Sequence, residues 1–474
     1  MKNRFVLLLC PILALGSVVC AAQETPDGAA LYKQYCAQCH GAELQGGNAQ
    51  SMVDGVWQFG EGAGYMFRNT KHGITHLGMP AYEATLSDEQ IRAIVDFILS
   101  REQEAGAVKP PPPDRIQTLD YEIDVNVVAE GLEIPWAIAF PDASTALITE
   151  RPGRLRVLRD GKLETEPVQG TPEVLHEGQG GLMDVAVDPK YGENGWVYLA
   201  YSHALPVSGD QERPLAMTRI VRGKIDGNAW TGEQVVFEAP HDTYLPTRIH
   251  YGCQIAFDAE GHLYFGIGER GQQDHAQDLS RPNGKVHRVW PDGSIPDDNP
   301  FVGKEGALPS IFSFGNRNPQ GLSINPADDL LWESEHGPMG GDELNVIEAG
   351  NNYGWPLITY GRNYNGALVS EDRRKEGLEQ PALYWRPSIA VSGVEFYTGD
   401  QFPRWQNALL VGALKYEQVS VLQIEDHRVM HEETILKNIG RVRDIKCAPD
   451  GSVYVVANSP DIVLKLSLIA ERKY

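Results

Sequence analysis

Two cysteines three positions apart, Cys36 and Cys39, are followed at once by His40. This C-x-x-C-H pattern attaches a c-type haem: both thiols form thioethers with the haem vinyl groups, and the histidine ligates the iron. A redox dithiol and half of a zinc site are the alternatives, but no second pair of closely spaced cysteines follows to complete a zinc site. The motif therefore predicts one covalent haem, a group that usually carries single electrons.

A methionine further along the chain, Met79 in "HLGMPAY", is the candidate sixth ligand of the haem iron. A thioether ligand raises the haem potential and makes the haem a good electron acceptor. His72 and His76 are the alternative sixth ligands.

Two helical patterns accompany these ligands. Residues 29–38 have helical spacing and lead into the haem motif, and a later helix begins with Ser87 as N-cap and Gln90 as its capping-box partner. The later helix places four apolar residues on one face: Ile91, Ile94, Val95 and Ile98. Over residues 25–103 these features resemble a class I cytochrome c, a small all-α domain.

The chain begins with an export signal. Lys2 and Arg4 precede an apolar run, and small residues follow it, which predicts a signal peptide over residues 1–22 and a periplasmic protein. A lipid anchor on Cys20 is the alternative. The net charge of −23, from 64 acidic and 41 basic residues, argues against nucleic acid and anionic membranes as partners, and no membrane span is expected.

The 474 residues favour two domains joined by a stiff linker. Four consecutive prolines, residues 110–113, form a polyproline spacer. The sequence therefore predicts a cytochrome c domain over 23–105, a proline-rich linker over 106–119 and a second domain over 120–474.

The second domain contains a weak internal repeat in which an apolar run, an Asp, Asn or Pro turn and another apolar run follow one another. It occurs six times, beginning with "PWAIAFPDASTALITE" and ending with "VRDIKCAPDGSVYVVAN". Such repetition predicts an all-β, six-bladed β-propeller with one blade per copy. The ring is expected to close by pairing of residues 121–128 with residues 462–468.

Polar residues gather where the repeats begin, and a propeller would direct these positions into its central channel. They are Gln179, His250, Glu269, Arg317, Asn318, Lys415, Arg441 and Arg443. Several cations at one channel mouth predict a pocket for a polyanion, and a histidine with a glutamate in one repeat is a plausible base with its orienting carboxylate. The residues alone indicate an anionic cofactor or substrate near a histidine base.

Several segments resemble the soluble PQQ-dependent glucose and aldose sugar dehydrogenases over residues 120–470. They include "GNRNPQGLSINP", "SEHGPMGGDELNVI", "NNYGWP", "GALK" and "RVRDIKCAPDG". The resemblance implies a six-bladed propeller that oxidises aldose sugars at C1 to lactones by hydride transfer to PQQ, a tricarboxylate quinone.

The resemblance also implies roles for the clustered residues. Lys415, Arg441 and Arg443 would neutralise the PQQ carboxylates and quinone oxygens, and Asn318 and Gln179 would form hydrogen bonds nearby. His250 matches the general base that takes the sugar hydroxyl proton. Glu269 matches an aspartate that orients the base, and Arg317 a cation near the reacting oxygens.

Calcium is implied in the same way. The carbonyls of Gly337 and Pro338 match the protein ligands of a Ca²⁺ ion that polarises the quinone. Glu343 and the Tyr353 carbonyl match a second, structural calcium site. The alternative for "GGDEL" is a solvated acidic turn.

One position departs from the resembled family. The family usually has a Gly-Arg pair shortly after the histidine, whereas this chain has Cys253 and Gln254. The expected consequence is the loss of a cation near the base. Arg248, two residues before the histidine, is the candidate to replace that cation.

The sequence as a whole predicts a PQQ-dependent sugar dehydrogenase whose electrons pass to the fused haem and then to an external cytochrome or copper protein. Two alternatives remain open at this point. One is a PQQ dehydrogenase for a non-sugar alcohol or aldehyde, and the other is a non-catalytic binding propeller with a haem sensor.

Overall fold

The computed structural model describes residues 26–57, 62–74, 78–106, 110–207, 209 and 212–473. The predicted signal peptide and its alternative, a lipidated Cys20, lie outside these residues, as does His76. The chain divides into two compact units, an N-terminal one with four helices and a C-terminal one with the strands. No helix among the described residues is long and apolar enough to cross a membrane.

The helical unit is built from α1 Gly28–Tyr35, α2 Ala37–His40, α3 Ala63–His72 and α4 Asp88–Ala105. Helix α4 has the predicted capping box, in which the Ser87 side chain accepts from the Gln90 backbone and the Gln90 side chain accepts from the Ser87 backbone. Its predicted apolar face is at most 3 % exposed. Helix α1 packs on α4 at Gly28, where a Cβ atom would lie 2.0 Å from the Ala93 carbonyl oxygen.

The C-terminal unit is a six-bladed propeller. Within the described residues the strands form six antiparallel sheets. The first three sheets contain β3 Pro135–Asp142, β4 Thr145–Glu150, β5 Arg154–Arg159 and β6 Lys162–Leu163; β7 Leu182–Val187, β8 Val197–Ala204, β9 Ala216–Asp226 and β10 Ala229–Phe237; and β11 Ile255–Phe257, β12 Leu263–Ile267, β13 Lys285–Val289 and β14 Ile311–Phe314. A short helix, α5 Tyr191–Asn194, joins β7 to β8.

The remaining three sheets complete the ring. They contain β15 Pro319–Ile324, β16 Leu331–Glu335, β17 Asp342–Ile347 and β18 Leu383–Trp385; β19 Val391–Phe396, β20 Leu409–Ala413, β21 Gln418–Glu425 and β22 Arg428–Lys437; and β23 Arg441–Cys447, β24 Val453–Asn458 and β25 Ile462–Glu471 with β1 Arg115–Gln117 and β2 Tyr121–Ala129. The first strand of each blade (β3, β7, β11, β15, β19 and β23) contacts its counterparts on both sides, so these six strands surround the central channel.

The predicted repeats are confirmed as the two inner strands of each blade. The predicted ring closure is also confirmed, since β2 pairs with β25 from Tyr121 and Glu471 onward. One detail of the linker differs from the prediction: Arg115–Gln117 within residues 106–119 forms β1, which pairs with β2, and Arg115 forms an ion pair with Glu122 at 3.0 Å. The linker was predicted from the four prolines at residues 110–113, and prolines do not indicate whether a strand follows them.

Neighbouring blades are joined by buried side chains that bond to the next inner strand or, at Tyr251, to the loop that precedes it. The bonds are Thr149 Oγ1 to Met183 O (3.0 Å), Thr218 Oγ1 to Tyr251 O (2.6 Å), Ser334 Oγ to Ser392 O (2.7 Å), Ser392 Oγ to Val442 O (2.7 Å) and Ile138 N to Asp444 Oδ2 (3.0 Å). The last of these links the sixth blade to the first. Since the inner strands all start at one end of the channel, the loops that precede them meet there.

Candidate active site

The predicted base and its carboxylate are in direct contact. His250 lies in the loop before β11, and Glu269 follows β12 of the same blade. The His250 Nδ1 and Glu269 Oε1 atoms are 2.6 Å apart, and the two residues are only 8 % and 1 % exposed. Because Nδ1–H donates to the carboxylate, Nε2 carries the lone pair that can accept a proton. Burial lowers the pKa of His250 below its usual value, so the imidazole is a neutral base at neutral pH.

Gln179 holds the backbone of this base. Its Oε1 accepts from the His250 N–H at 2.7 Å, and its own N–H donates to the Arg248 carbonyl at 2.8 Å. His250 has a φ of +54°, a left-handed conformation that a non-glycine residue adopts only where its surroundings hold it. The predicted cofactor residue Gln179 thus contacts the base, and its bond to a cofactor stays a prediction.

Arg317 and Asn318 stand on the next loop, directly before β15. Asn318 Oδ1 accepts from the Gly252 N–H at 3.1 Å, which ties this loop to the base loop. Arg317 Nη1 donates to the carbonyls of His336 and Gly337 at 3.0 and 2.8 Å. The Arg317 charge is close enough to His250 to lower the pKa of the imidazole further.

The predicted cations of the sixth blade form a cluster. Arg443 Nε donates to Asn458 Oδ1 at 2.8 Å, and its guanidinium lies 4.2 Å from the centre of the Trp136 ring. Desolvation and the charges of Arg441 and Arg151 lower the pKa of Arg443 to about 9. Such crowding of like charges favours an anion as the ligand of this cluster.

Lys415 follows β20, and its N–H donates to the Ile389 carbonyl at 3.0 Å. It is half-buried at the end of the second strand of its blade. Its predicted contact with a cofactor carboxylate stays a prediction.

Two residues of the site were missed by the sequence reasoning, Arg151 and His336. Burial, followed by the charge of Arg441, lowers the Arg151 pKa. His336 Nδ1 lies 3.4 Å from Asn318 Nδ2, and burial, followed by the charges of Arg317 and His250, lowers the pKa of His336 to about 3. Both follow the second strand of a repeat, as Glu269 does, so a comparison of that position across the repeats would have found them.

The segment predicted to hold the first calcium contacts Arg317 through the Gly337 carbonyl. Gly337 and Pro338 form the turn after β16, and the Gly337 N–H donates to Asp342 Oδ1 at 2.9 Å. The Gly337 carbonyl that accepts from Arg317 retains a second lone pair, which a cation can use.

The second predicted calcium site contains more carboxylates than the sequence reasoning named. Glu343 pairs across the sheet with Glu335, and Glu333 faces the same side of the blade. Burial raises the pKa of Glu335 to about 7 and that of Glu333 well above its usual value. Glu333 Oε1 and Asn345 Oδ1 are buried without a hydrogen-bond partner. These features are typical of a site that a cation would stabilise.

Tyr353 lies near the same blade, because its hydroxyl donates to the Val346 carbonyl of β17 at 2.6 Å, while its N–H donates at 2.8 Å to the Phe314 carbonyl in the last strand of the preceding blade. Nevertheless, no three His, Cys, Asp or Glu side chains of the described residues are arranged as a ready metal site. Calcium at either position therefore stays a prediction.

Gln254 forms hydrogen bonds with other blades. It is 3 % exposed, its Nε2 donates to Asp444 Oδ1 at 3.2 Å, and its Oε1 accepts from the Leu322 N–H at 2.8 Å and from the Val394 N–H at 3.4 Å. Gln254 therefore joins inner strands of three other blades. Arg248 forms an ion pair with Glu177.

The haem motif has the arrangement that its chemistry requires. His40 Nδ1 lies 3.0 Å from the Gln50 carbonyl oxygen, so Nδ1–H can donate there and leave Nε2 for iron. Cys36 and Cys39 flank the first residues of α2. Met79 pairs with Ile74 through backbone bonds, whereas the exposed His72 forms an ion pair with Glu83 at 3.2 Å. These contacts favour Met79 over His72 as the sixth ligand.

Comparison with known proteins agrees with both units. Residues 132–465 match the family described as Glucose / Sorbosone dehydrogenase. The chain belongs to this family. It is accordingly an oxidoreductase of the PQQ sugar dehydrogenase type, as the resemblance predicted. Residues 23–98 match the family described as Cytochrome C oxidase, cbb3-type, subunit III.

Individual relatives of the glucose/sorbosone dehydrogenase family support the assignment. The chain is 42 % identical over 352 residues to the aldose sugar dehydrogenase YliI of Escherichia coli (strain K12), a match that covers 73 % of this chain and 93 % of the relative. The solved apo form of the soluble aldose sugar dehydrogenase from Escherichia coli aligns with a TM-score of 0.68 at 39 % identity, covering 73 % of this chain and 99 % of the other. The PQQ-bound aldose sugar dehydrogenase from Streptomyces coelicolor aligns with a TM-score of 0.58 at 25 % identity, covering 75 % and 99 %.

Proposed function

We propose that this dehydrogenase oxidises aldose sugars at C1 to lactones, with PQQ as the resident oxidant and the fused c-type haem as the outlet for electrons. The observation that carries the proposal is the buried His250–Glu269 pair, 2.6 Å apart, together with the arginine cluster. His250 and Arg443 are both close enough to His336 for their charges to lower its pKa, after burial and the Arg317 charge. A base and an anion-binding cluster in one place are what sugar oxidation by a tricarboxylate quinone requires. The names of the relatives, which include an aldose sugar dehydrogenase, support the substrate class.

The residues of the channel mouth fit PQQ. Burial, followed by the charges of Arg441 and Arg151, lowers the Arg443 pKa, and bound carboxylates would relieve the repulsion among these arginines. Lys415, Asn318 and Gln179 are the further residues proposed to hold it. When bound, PQQ supplies a two-electron acceptor for hydride.

His250 removes a proton during the oxidation. Its Nε2 accepts the proton of the C1 hydroxyl, and Glu269 stabilises the imidazolium that forms while holding the ring in place. Arg317 contributes positive charge beside the reacting oxygens. Its guanidinium is fixed by the carbonyls of His336 and Gly337 and lies 5.3 Å from the centre of the Trp355 ring.

Calcium is proposed at two places. Gly337 and Pro338 would supply carbonyl ligands beside the base, and Glu343 with the Tyr353 carbonyl would hold a structural ion. At the structural position, the unpartnered oxygens of Glu333 and Asn345 are hard donors of the type that Ca²⁺ prefers.

The electrons leave through the N-terminal unit in this proposal. Aldose oxidation releases two electrons and two protons, and a haem accepts one electron at a time, so the haem must be reduced and reoxidised twice for each sugar. Cys36 and Cys39 would hold the haem covalently, with His40 and Met79 as axial ligands. An external cytochrome or copper protein is the proposed final acceptor.

Reconstitution of the purified haem protein tests this function. Protein incubated with PQQ and Ca²⁺ should show reduction of the haem α-band when an aldose is added, and lactone should accumulate. Protein without PQQ is the control. Oxidation of simple alcohols but of no aldose would overturn the substrate assignment.

The location is proposed to be the periplasm, because residues 1–22 have the composition of a cleaved signal peptide. Mass spectrometry of the exported protein should find an N-terminus near Gln23. A diacylated N-terminal Cys20 would instead make the protein a lipoprotein.

A further inference from the structure

The segment that carries the base, Thr247–Gly252, has no helix or strand of its own. We call it the base loop. Two of its N–H groups donate to side chains, that of His250 to Gln179 Oε1 and that of Gly252 to Asn318 Oδ1. The Tyr251 carbonyl accepts from Thr218 Oγ1 at 2.6 Å. The conformation of the base loop is therefore set by residues outside it.

The largest share of this support comes from Arg270, the residue after Glu269. Its side chain is fully buried, at 0 % exposure. Nε donates to the Ile249 carbonyl at 2.7 Å and Nη2 to the Thr247 carbonyl at 2.6 Å, so Arg270 holds the base loop on the N-terminal side of His250. Nη1 donates to the Ala216 carbonyl at 3.0 Å at the start of β9. The guanidinium carbon lies 3.6 Å from the centre of the Tyr251 ring, on the other side of His250.

These contacts use the geometry of arginine. The planar guanidinium presents several N–H donors in a fixed fork and stacks on aromatic faces, whereas the ammonium group of lysine is a single point that does neither. Burying a cation is costly, and here desolvation lowers the pKa of Arg270 to about 10. The three shortest hydrogen bonds of the guanidinium go to backbone carbonyls, two of them in the base loop, and two longer ones go to Thr247 Oγ1 and Met217 Sδ. The buried cation therefore stabilises the conformation of that loop.

We propose that Arg270 is a positioning residue that fixes the base loop so that the His250 imidazole meets Glu269 and aims Nε2 at the substrate. Glu269 orients the ring and the adjacent Arg270 orients the backbone that carries it. This inference rests on the proposed function, in which His250 is the base. A displacement of about 1 Å at a reacting group can cost about a hundredfold in rate.

The chain offers a matched control in Arg288 on β13 of the same blade. Arg288 is 7 % exposed, lies 5.0 Å from the centre of the Phe312 ring, and donates to Asn299 Oδ1 and Asp298 Oδ1 at 2.7 and 2.6 Å. It is thus a buried, stacked arginine without a hydrogen bond to the base loop among those of the described residues.

The first test uses hydrogen exchange in the full-length haem protein without PQQ, so it does not depend on activity. R270M should make the amides of His250 and Gly252 exchange at least about tenfold faster, whereas R288M should leave them as in the wild type. R270K should show the same faster exchange as R270M, because lysine lacks the forked donors of arginine. R270K replaces R270M in this test if R270M does not fold. Equal protection of the base loop in wild type, R270M and R270K would overturn the proposal.

The second test is kinetic. With PQQ and Ca²⁺, R270M should lower kcat for aldose oxidation by about 10- to 100-fold while KM and PQQ retention change less than about threefold. In an H250A background the same change should have no further effect, because the residue acts through the base. If R270M lowered kcat further in the H250A background, or if R288M lowered kcat as much as R270M does, Arg270 would have only a general structural role. Failure of the wild type to oxidise aldoses would refute the proposed function, while the exchange result would still decide whether Arg270 fixes the base loop.

Discussion

At the scale of single residues, His250 has two nitrogens with different duties. Nδ1 is committed to Glu269, and Nε2 is left to accept a proton. Burial and the nearby Arg317 charge lower the pKa of the imidazole, while the Glu269 carboxylate raises it. This balance favours the neutral imidazole near neutral pH, as the proposed base requires, and the carboxylate would stabilise the imidazolium that forms when His250 takes a proton.

Replacing Glu269 by glutamine tests this balance. Loss of the carboxylate removes the influence that raises the His250 pKa, so the pKa falls further. Since only the neutral imidazole is active, the acid limb of kcat/KM should move to lower pH. The rate at the plateau should fall by about two to four orders of magnitude, because the amide neither holds the tautomer nor stabilises the imidazolium.

The test is to measure kcat/KM as a function of pH for E269Q and for the wild type. An acid limb displaced to higher pH, or a plateau rate equal to that of the wild type, would contradict the assigned role of Glu269.

The sequence predicted these two residues because a histidine and a glutamate occur in one repeat. It did not predict Arg151 or His336, since a lone arginine or histidine after a strand has many structural uses. Their membership of the site depends on the bend of two further loops into the same channel mouth, where Arg151 approaches Arg441 and His336 approaches Asn318. The spacing of residues along the chain does not indicate that these side chains meet.

At the scale of elements, inner strands are joined by side chains in the channel. Gln254 is the clearest case, with one amide that bonds to Asp444, to the Leu322 N–H and to the Val394 N–H. The sequence suggested that a cation was missing near the base at this position. The structure shows instead a neutral residue whose amide matches both a carboxylate and two N–H donors.

Gln254→Leu should therefore destabilise the propeller without impairing catalysis. Leucine has a similar size but removes one donor to Asp444, which keeps the Ile138 N–H, and takes away the side-chain acceptor of two buried N–H groups. Each buried group left unsatisfied costs about 1–3 kcal/mol. Thermal unfolding should show a lower Tm, and turnover of the folded variant should stay close to that of the wild type. A variant with unchanged Tm and strongly reduced turnover would instead indicate that Gln254 takes part in catalysis.

The loop that carries Met79 is a second element with a separate prediction. Backbone bonds between Ile74 and Met79 hold it, and His72 is engaged by Glu83. Met79→Ala should leave the haem covalently attached but lower its reduction potential, because a thioether ligand favours ferrous iron. His72→Ala is the control and should leave the potential unchanged. A potential that responds to His72 and not to Met79 would reverse the ligand assignment.

At the scale of the whole molecule, the ring brings residues distant in sequence to one place. Six repeats were enough to predict the number of blades and the closing strands, because each repeat is a hairpin that needs neighbours to bury its faces. Contacts such as Ile138 N to Asp444 Oδ2, which seal the ring, could not be predicted, since they depend on the rotation of each blade relative to the next. The same closure brings His250 of the third blade and Arg443 of the sixth both close enough to His336 for their charges to lower its pKa, after burial and the Arg317 charge.

The central claim is that a sugar is oxidised at this channel mouth with His250 as the base and the arginine cluster as the cofactor holder. The most direct measurement is the rate of sugar-driven haem reduction at saturating PQQ and Ca²⁺, together with PQQ retention, for H250A and R443Q. H250A should keep PQQ and lose about two to four orders of magnitude in rate. R443Q should lose PQQ more readily and recover much of its rate when PQQ is supplied in excess. An H250A protein that reduces its haem at the wild-type rate would contradict the account.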